Sequence, residues 1–401
     1  MPSRSSHAAS SISLLVLVLV LALGVFYVAT GSDPLGIFSG MDQAMSTAAA
    51  PILPGPSASP TAPPTPIAGG GWWAVYFTDP LQVNKPDLWQ ASIEGRLIEK
   101  IEAARTSIHI ASFEFGLTRV AEALIAAKKH GVDVRWVTDD ESGIQADQDP
   151  DRGQFAMLKA AGIEVRDDGR TALMHNKFWI FDNQVVWTGS TNITASGIFK
   201  QNNNTIVIHS PEVAAIYERE FQEMWDGKFG HGSPSTPAEQ SATVEGTPVQ
   251  VVFASEDHAL KTAIIPRIKA AKTSIRFLAF SFTSDPLGDA MIARAKKGVD
   301  VSGVFEKVGS NTEFSELRPL LCAGIPVRED GNPSFLHHKV IILDNQIVIT
   351  GSLNFSANAD ESNDENMVII DNADIASLYT QEFDRMWAQG SDPGPVKPAC
   401  R

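Results

Sequence analysis

The sequence predicts an α/β fold of two pseudo-symmetric halves, each a mixed, mostly parallel sheet flanked by helices, packed together around one shared site. Three observations carry that expectation. Two long segments repeat the same motifs in the same order, each alternates helical with β-branched patterns, and each holds one almost wholly apolar run of strand length, KFWIFD or KVIILD.

At 401 residues the chain is too long for one ordinary core, and two fused halves plus some non-globular sequence account for the length. A formal charge of −15 argues against a broad basic surface for nucleic acid, because neutralising phosphates takes many Lys and Arg. Any polyanion would be handled by a local site. Two cysteines, Cys322 and Cys400, cannot build a four-thiolate centre, and neither sits in a zinc-type spacing. No metal or other cofactor is expected, and pairing of the two cysteines is left open.

Taken in order, the chain begins with Arg4 and then an uncharged apolar run from Ile12 to Ala29. At about 1.5 Å per residue such a run reaches roughly 27 Å, close to the thickness of a bilayer core. Residues 1–30 therefore read as a signal anchor or a signal peptide, with only a weak cleavage site around Ala29 to Gly31. Either way the remainder is expected to be membrane-anchored and extracytoplasmic, or secreted. Residues 31–71 are rich in Pro, Ala and Ser, too poor in apolar surface to order themselves, and read as a disordered spacer. The first half is expected over 72–226, a linker over 227–248, the second half over 249–390, and a short tail over 391–401. Trp72 and Trp73 open the first half, as lipid contacts or as core.

The repeats justify the two halves. IEAARTSIHIASFEF from Ile101 matches IKAAKTSIRFLAFSF from Ile268, and LKAAGIEVRDDG matches LLCAGIPVREDG. EFQEMW from Glu220 and EFDRMW from Glu382 close each half. Gly131 and Gly298 follow basic helix ends, where a residue with positive φ caps a helix. The run after each motif histidine is apolar at successive positions, the mark of a central strand covered on both faces.

The first motif places His175, Lys177 and Asp182 in HNKFWIFD; the second places His337, Lys339 and Asp344 in HHKVIILD. Residues two apart in a strand share a face, so each His projects with its Lys, while the Asp falls on the other face at the strand end. Imidazole can act as nucleophile or proton donor near neutral pH, and an ammonium neutralises a phosphate oxygen. Gly-Ser-x-Asn follows each motif, offering Ser190 and Asn192, and Ser352 and Asn354, as donors to phosphate. Asp182 and Asp344 are expected to tie strand ends to neighbouring backbone, and His338 to stand by.

This pair of HxKx4D motifs, each followed by GSxN, resembles the phospholipase D superfamily, over roughly Trp72 to Gly390. The resemblance implies a phosphoric diester hydrolase working in two steps without metal. One His attacks phosphorus to give a phosphohistidine, and the other protonates the leaving oxygen and then activates water. His175, Lys177, His337 and Lys339 would be catalytic; the lysines and asparagines would stabilise charge on the phosphate oxygens. Relatives place a Glu after the second turn, here Glu365, which would orient His337 and favour its charged form as the acid, with His175 the nucleophile. Asn203 stands at the matching place in the first half.

The expected substrate is a phospholipid, cleaved to phosphatidic acid and an alcohol by a chain active as a monomer and held to the membrane by its N-terminal helix. Ile198 and Phe199 would rim a lipid entrance. An envelope or secreted nuclease is the alternative, disfavoured by Asp360, Glu361 and Asp364 near the site. Phosphatidyl transfer of the cardiolipin-synthase kind is a third reading, using the same intermediate with an alcohol in place of water.

Overall fold

The computed structural model describes residues 71–394 except residue 311. The anchor or signal over 1–30, the spacer up to residue 70 and the tail from residue 395 lie outside the described residues. No helix among the described residues is long and apolar enough to cross a membrane.

The first half supplies strands β1 (Trp73–Phe77), β2 (Ser107–Ser112), β3 (Asp133–Thr138), β4 (Glu164–Asp167), β5 (Lys177–Phe181), β6 (Val185–Gly189) and β7 (Asn204–His209). They form one sheet in the order β1-β7-β6-β5-β2-β3-β4. The second half supplies β8 (Ser241–Val244), β9 (Thr247–Phe253), β10 (Ser274–Ala279), β11 (Asp300–Phe305), β12 (Val327–Glu329), β13 (Lys339–Leu343), β14 (Ile347–Gly351) and β15 (Asn366–Asp371). Their order is β12-β11-β10-β13-β14-β15-β9-β8.

The motif strands β5 and β13 sit at the centre of their sheets and are buried along their whole length. Period-two alternation splits their side chains between cores. Phe178 and Ile180, with Val340 and Ile342, face a core shared by both halves. Trp179 and Phe181 face an outer core of the first half, and Ile341 and Leu343 an outer core of the second. The two long helices Pro211–Trp225 and Ala373–Gln389 fill the shared core, through Tyr217 and Phe221 on one and Tyr379 and Phe383 on the other. The layers therefore run helices, sheet, helices, sheet, helices, with a seam in the middle that both halves build.

Two expectations need correction. The sheets are mixed, but antiparallel pairings outnumber parallel ones in both, the reverse of the predicted balance. The cause is local. Asp182 and Asn183 have φ of 54° and 51°, and Asp344 and Asn345 have 54° and 52°. Two successive left-handed residues make the tight turn that folds β5 onto β6 and β13 onto β14 as hairpins. The segment 227–248 is likewise more than a linker, because β8 and the start of β9 form a hairpin inside it. Glu245-Gly246 turns between two β-branched runs, and β9 pairs with β15, so sheet pairing outweighs the Pro- and Ser-rich composition. Cys322 is disulfide-bonded. Trp72 and Trp73 are buried in the shared core.

Candidate active site

Each motif histidine precedes its strand, and its backbone is stitched to the other half. His175 N donates to Asp364 O at 2.9 Å, and Asp364 N donates to Leu173 O at 2.9 Å. Symmetrically, His337 N donates to Asn202 O and Asn202 N to Phe335 O, both at 2.9 Å. These short parallel bridges bring the segment before β15 beside the first motif, and the segment before β7 beside the second.

The side-chain partners are consequently exchanged between halves. His175 Nδ1 lies 2.7 Å from Glu365 Oε2. His337 Nδ1 lies 2.9 Å from Asn203 Oδ1 and 3.1 Å from Ser190 O. The expectation that Glu365 orients the histidine of its own half, His337, is therefore wrong. Glu365 holds His175 and Asn203 holds His337, because the bridges carry each partner across the pseudo-twofold seam. A carbonyl oxygen only accepts, so Nδ1 of His337 carries its proton and Nε2 is the free ring atom. The Asn203 amide is itself fixed, since its Nδ2 donates to Gly197 O at 2.9 Å.

The serines do not point at a phosphate. Ser190 Oγ donates to Asn203 Oδ1 at 2.8 Å and accepts from Asn204 N at 3.1 Å. Ser352 accepts from Asn366 N at 3.0 Å, and its hydroxyl bonds to Glu365. Both are fully buried, so they brace the partners of the histidines, and their assignment to phosphate binding is corrected accordingly. The preceding glycines allow this closeness: a Cβ at Gly189 would meet Asn204 O at 2.2 Å, and one at Gly351 would meet Asn366 O at 2.1 Å.

Lys177 and Lys339 are buried, each donating to the carbonyl of its own motif histidine, at 2.8 Å and 3.0 Å. Each ammonium also lies over a phenylalanine, Phe113 at 4.9 Å and Phe280 at 4.6 Å. The same two rings meet His175 and His337 edge-on, at 4.8 Å and 4.7 Å. Asn192 Nδ2 reaches Glu114 Oε1 at 3.3 Å, while the buried amide oxygens of Asn192 and Asn354 have no protein partner. Asp182 accepts from the N–H groups of Arg105, Thr106 and Ser107, and Asp344 from those of Lys272, Thr273 and Ser274. They staple the hairpin turns to the start of the neighbouring strand, away from the histidines.

Electrostatics couple the halves. Burial first, and then Lys177 and Lys339, push His175 well below its ordinary range. Burial, both lysines and His175 do the same to His337. Lys177 is pushed down to about 8 by burial, and Lys339 is also lowered by burial and by Lys177. Burial pushes Glu365 up to about 8 against the pull of Lys177 and Lys339. The two buried ammonium groups thus disfavour positive charge on the rings, an effect that the negative charge of a phosphodiester opposes.

Residues that sequence reading missed complete the seam. Asn366 Nδ2 donates to Asn176 Oδ1, while its Oδ1 accepts from Thr188 and Tyr217. Asn204 donates to Thr350 and Tyr379, and its Oδ1 meets His338 at 3.1 Å. His338, whose other nitrogen lies 2.8 Å from Glu382, is thus a seam residue and no bystander. An Asn directly after Asn203 and after Glu365, repeated in both halves, was the available signal. Glu114 is the other omission; its repeat counterpart is Ser281, so only the first half places a carboxylate there.

Two arguments about substrate also change. Ile198 and Phe199 are both buried in the outer core of the first half rather than exposed at a rim, and Phe199 also backs the wall of a surface cleft. Asp364 is ion-paired with Arg170, and Asp360 is buried with Leu260 N bound to its carboxylate, so the acidity expected to repel a polyanion is largely spent.

The family model described as "Cardiolipin synthase, PLD-like domain" matches residues 97–225 and 264–387. A mitochondrial cardiolipin hydrolase of Xenopus laevis is 32% identical over 126 residues, which are 31% of this chain and 60% of that protein. A phospholipase D of Rickettsia bellii (strain RML369-C) is 37% identical over 120 residues, 30% of this chain and 60% of its own. The chain thus spans about 60% of the length of these relatives. The phosphatidylserine synthase structure from Haemophilus influenzae Rd KW20, 13% identical with a TM-score of 0.57 over 74% of this chain and 84% of its own, shares the fold.

Proposed function

The chain belongs to the phospholipase D superfamily, with both halves matching its cardiolipin-synthase-type domain, and from that premise we propose that it hydrolyses a phospholipid phosphodiester to phosphatidic acid and an alcohol. The observation that carries the reading is the pair of Nδ1 contacts, which leaves Nε2 of His175 and of His337 as the reacting atoms beside two buried lysines.

Nε2 of His175 attacks phosphorus and the bond to the leaving oxygen breaks, that oxygen taking a proton from Nε2 of His337. A water then gives its proton to His337 and attacks phosphorus, and the P–N bond returns its electrons to His175. The phosphorylated ring is cationic while Nδ1 keeps its proton; that positive charge opposes the burial that raises Glu365 and favours its carboxylate form, which in turn stabilises the ring. Asn203 is neutral, which keeps the His337 imidazolium a ready proton donor. Lys177 and Lys339 offset the charge that grows on the non-bridging oxygens, and the amides of Asn192 and Asn354 complete the oxygen sites. The negative charge of a bound phosphodiester opposes the burial and lysine effects and raises His337 toward its charged form.

Both motifs lie on one chain, so one copy completes the site. The apolar run at residues 12–29 and the bonded Cys322 support an extracytoplasmic, membrane-tethered enzyme, since disulfides persist outside the reducing cytosol. The nuclease reading gains one point, because Asp364 is neutralised by Arg170. Phosphatidyl transfer differs only in the acceptor.

The test supplies labelled phospholipids and labelled single- and double-stranded DNA with chelator present. Phospholipid turnover that survives chelation and acid-trapped phosphate on His175 are expected. Turnover of DNA alone, loss of activity on chelation, or label on His337 would each defeat the corresponding part.

A further inference from the structure

The seam is pseudo-symmetric, but the space beside its two histidines is not. Next to His175, Arg170 pairs with Asp364 and lies over Phe229 at 5.2 Å, and Gly230 N donates to Asp364 Oδ1 at 2.7 Å. The connector that follows the first long helix therefore occupies this side. The repeat counterparts next to His337 are Asn332 and Asn202, joined by a 2.6 Å hydrogen bond from Asn332 Nδ2 to Asn202 Oδ1. There the cleft is open, with a volume of about 690 Å³ and a wall that includes Leu81, Phe199, Pro333 and Asn332.

Its chemistry differs as well. The charged residues of its wall are Lys85 and Lys200, in a chain of net charge −15. Where this side has Phe199 and Lys200, the repeat has Glu361 and Ser362. Leu81 on this wall is 68% exposed, an apolar group presented to solvent among the described residues. The wall is tied to the second motif through the backbone: Asn202 lines the cleft while its carbonyl accepts from His337 N, and Ser334 lies three residues before that histidine.

We propose that this cleft is the leaving-group pocket, so that the substrate lies across the seam with its departing alcohol on the His337 side. The occupant is an alcohol with an apolar acylated body and an anionic group that reaches Lys85 and Lys200. The inference rests on the reading of His337 as the acid. It adds an orientation: the connector fills the His175 side, and the open side holds what departs. No redox partner or further reactant is involved, because the pocket binds the alcohol whose oxygen takes the His337 proton.

The test uses the full chain and residues outside the catalytic set. Leu81→Asp should lower kcat/KM on cardiolipin roughly tenfold, the effect of losing an apolar contact, while bis(p-nitrophenyl) phosphate turnover stays within about twofold. Lys85→Glu with Lys200→Glu should weaken cardiolipin turnover more than that of phosphatidylcholine, whose leaving alcohol carries no anion. Fluorescent phosphatidylglycerol, the alcohol released from cardiolipin, should bind the wild-type chain and bind both variants at least about fivefold more weakly. Equal losses on all substrates, or unchanged phosphatidylglycerol binding in the variants, would overturn the assignment. A wild-type chain that cleaves no phosphodiester refutes the proposed function, and the binding arm still decides the pocket.

Discussion

Replacing Glu365 by Gln tests the crossed pairing of histidines and partners. The substitution keeps the shape of the side chain and removes its ability to ionise beside the cationic ring at a 2.7 Å contact with His175 Nδ1, in surroundings where the Glu365 side chain has no solvent exposure and that of His175 has 8%. A hydrogen bond to a charged group contributes about 1.5–3 kcal/mol against about 0.5–1.5 for a neutral one. The difference, about 1–2 kcal/mol, corresponds to roughly five- to thirtyfold in rate. Rapid-quench measurement should show slower formation of the phosphoenzyme by that factor. The decisive readout is local: in 15N NMR spectra of the histidine side chains, E365Q should shift His175 Nδ1 and leave His337 in place. Asn203→Ala should do the reverse. A shift of His337 in E365Q, or unchanged phosphoenzyme formation, would refute the crossed arrangement and the role assigned to the carboxylate.

Three further outcomes are expected. Lys177 keeps its charge below about pH 8 and loses it above, so kcat/KM should fall as pH rises through that value, and a profile flat to pH 10 would contradict the assigned role. Burial tends to raise Asp182, but the N–H bonds from Thr106, Ser107 and Arg105 outweigh it and leave the group below its ordinary range. Its stabilisation is therefore present above the unfolded carboxylate range and disappears as pH falls through the depressed value. Asp182→Asn should cost about 1–2 kcal/mol after solvent screening, visible as a lower Tm at pH 7, with the gap from wild type shrinking on acidification. Asn366→Ala removes the partner of Asn176 Oδ1 and of the hydroxyls of Thr188 and Tyr217 in a buried seam, so a loss of about 2–4 kcal/mol in denaturant unfolding is expected, well above that of an exposed Asn358→Ala control.

Much of the site could be read from spacing. Residues two apart on a strand share a face, so the association of His175 with Lys177 and of His337 with Lys339 is a local property. The Asp at each strand end was legible for the same reason, and the hairpin turn beside it was not, although Asp182-Asn183 and Asp344-Asn345 carry a usable signal for left-handed turns. Ser190 and Ser352 were misassigned because a hydroxyl after a glycine suits a phosphate equally well. Only the approach of Asn203 and Glu365 shows what those hydroxyls serve. Ile198 and Phe199 look exposed in a loop-like stretch, yet a short helix turns both into the core.

Duplication, the two motifs and the central apolar strands were determined by the sequence alone, because each depends on order and periodicity within a few tens of residues. The tertiary structure decided which half serves which histidine. Pairing across a seam joins residues 190 apart, His175 with Glu365, and 134 apart, His337 with Asn203. Repeat alignment places Glu365 with the second motif, and both pairings are compatible with the same two motifs. Two short backbone bridges between halves select the crossed one, and the unequal filling beside them makes a nearly symmetric frame directional.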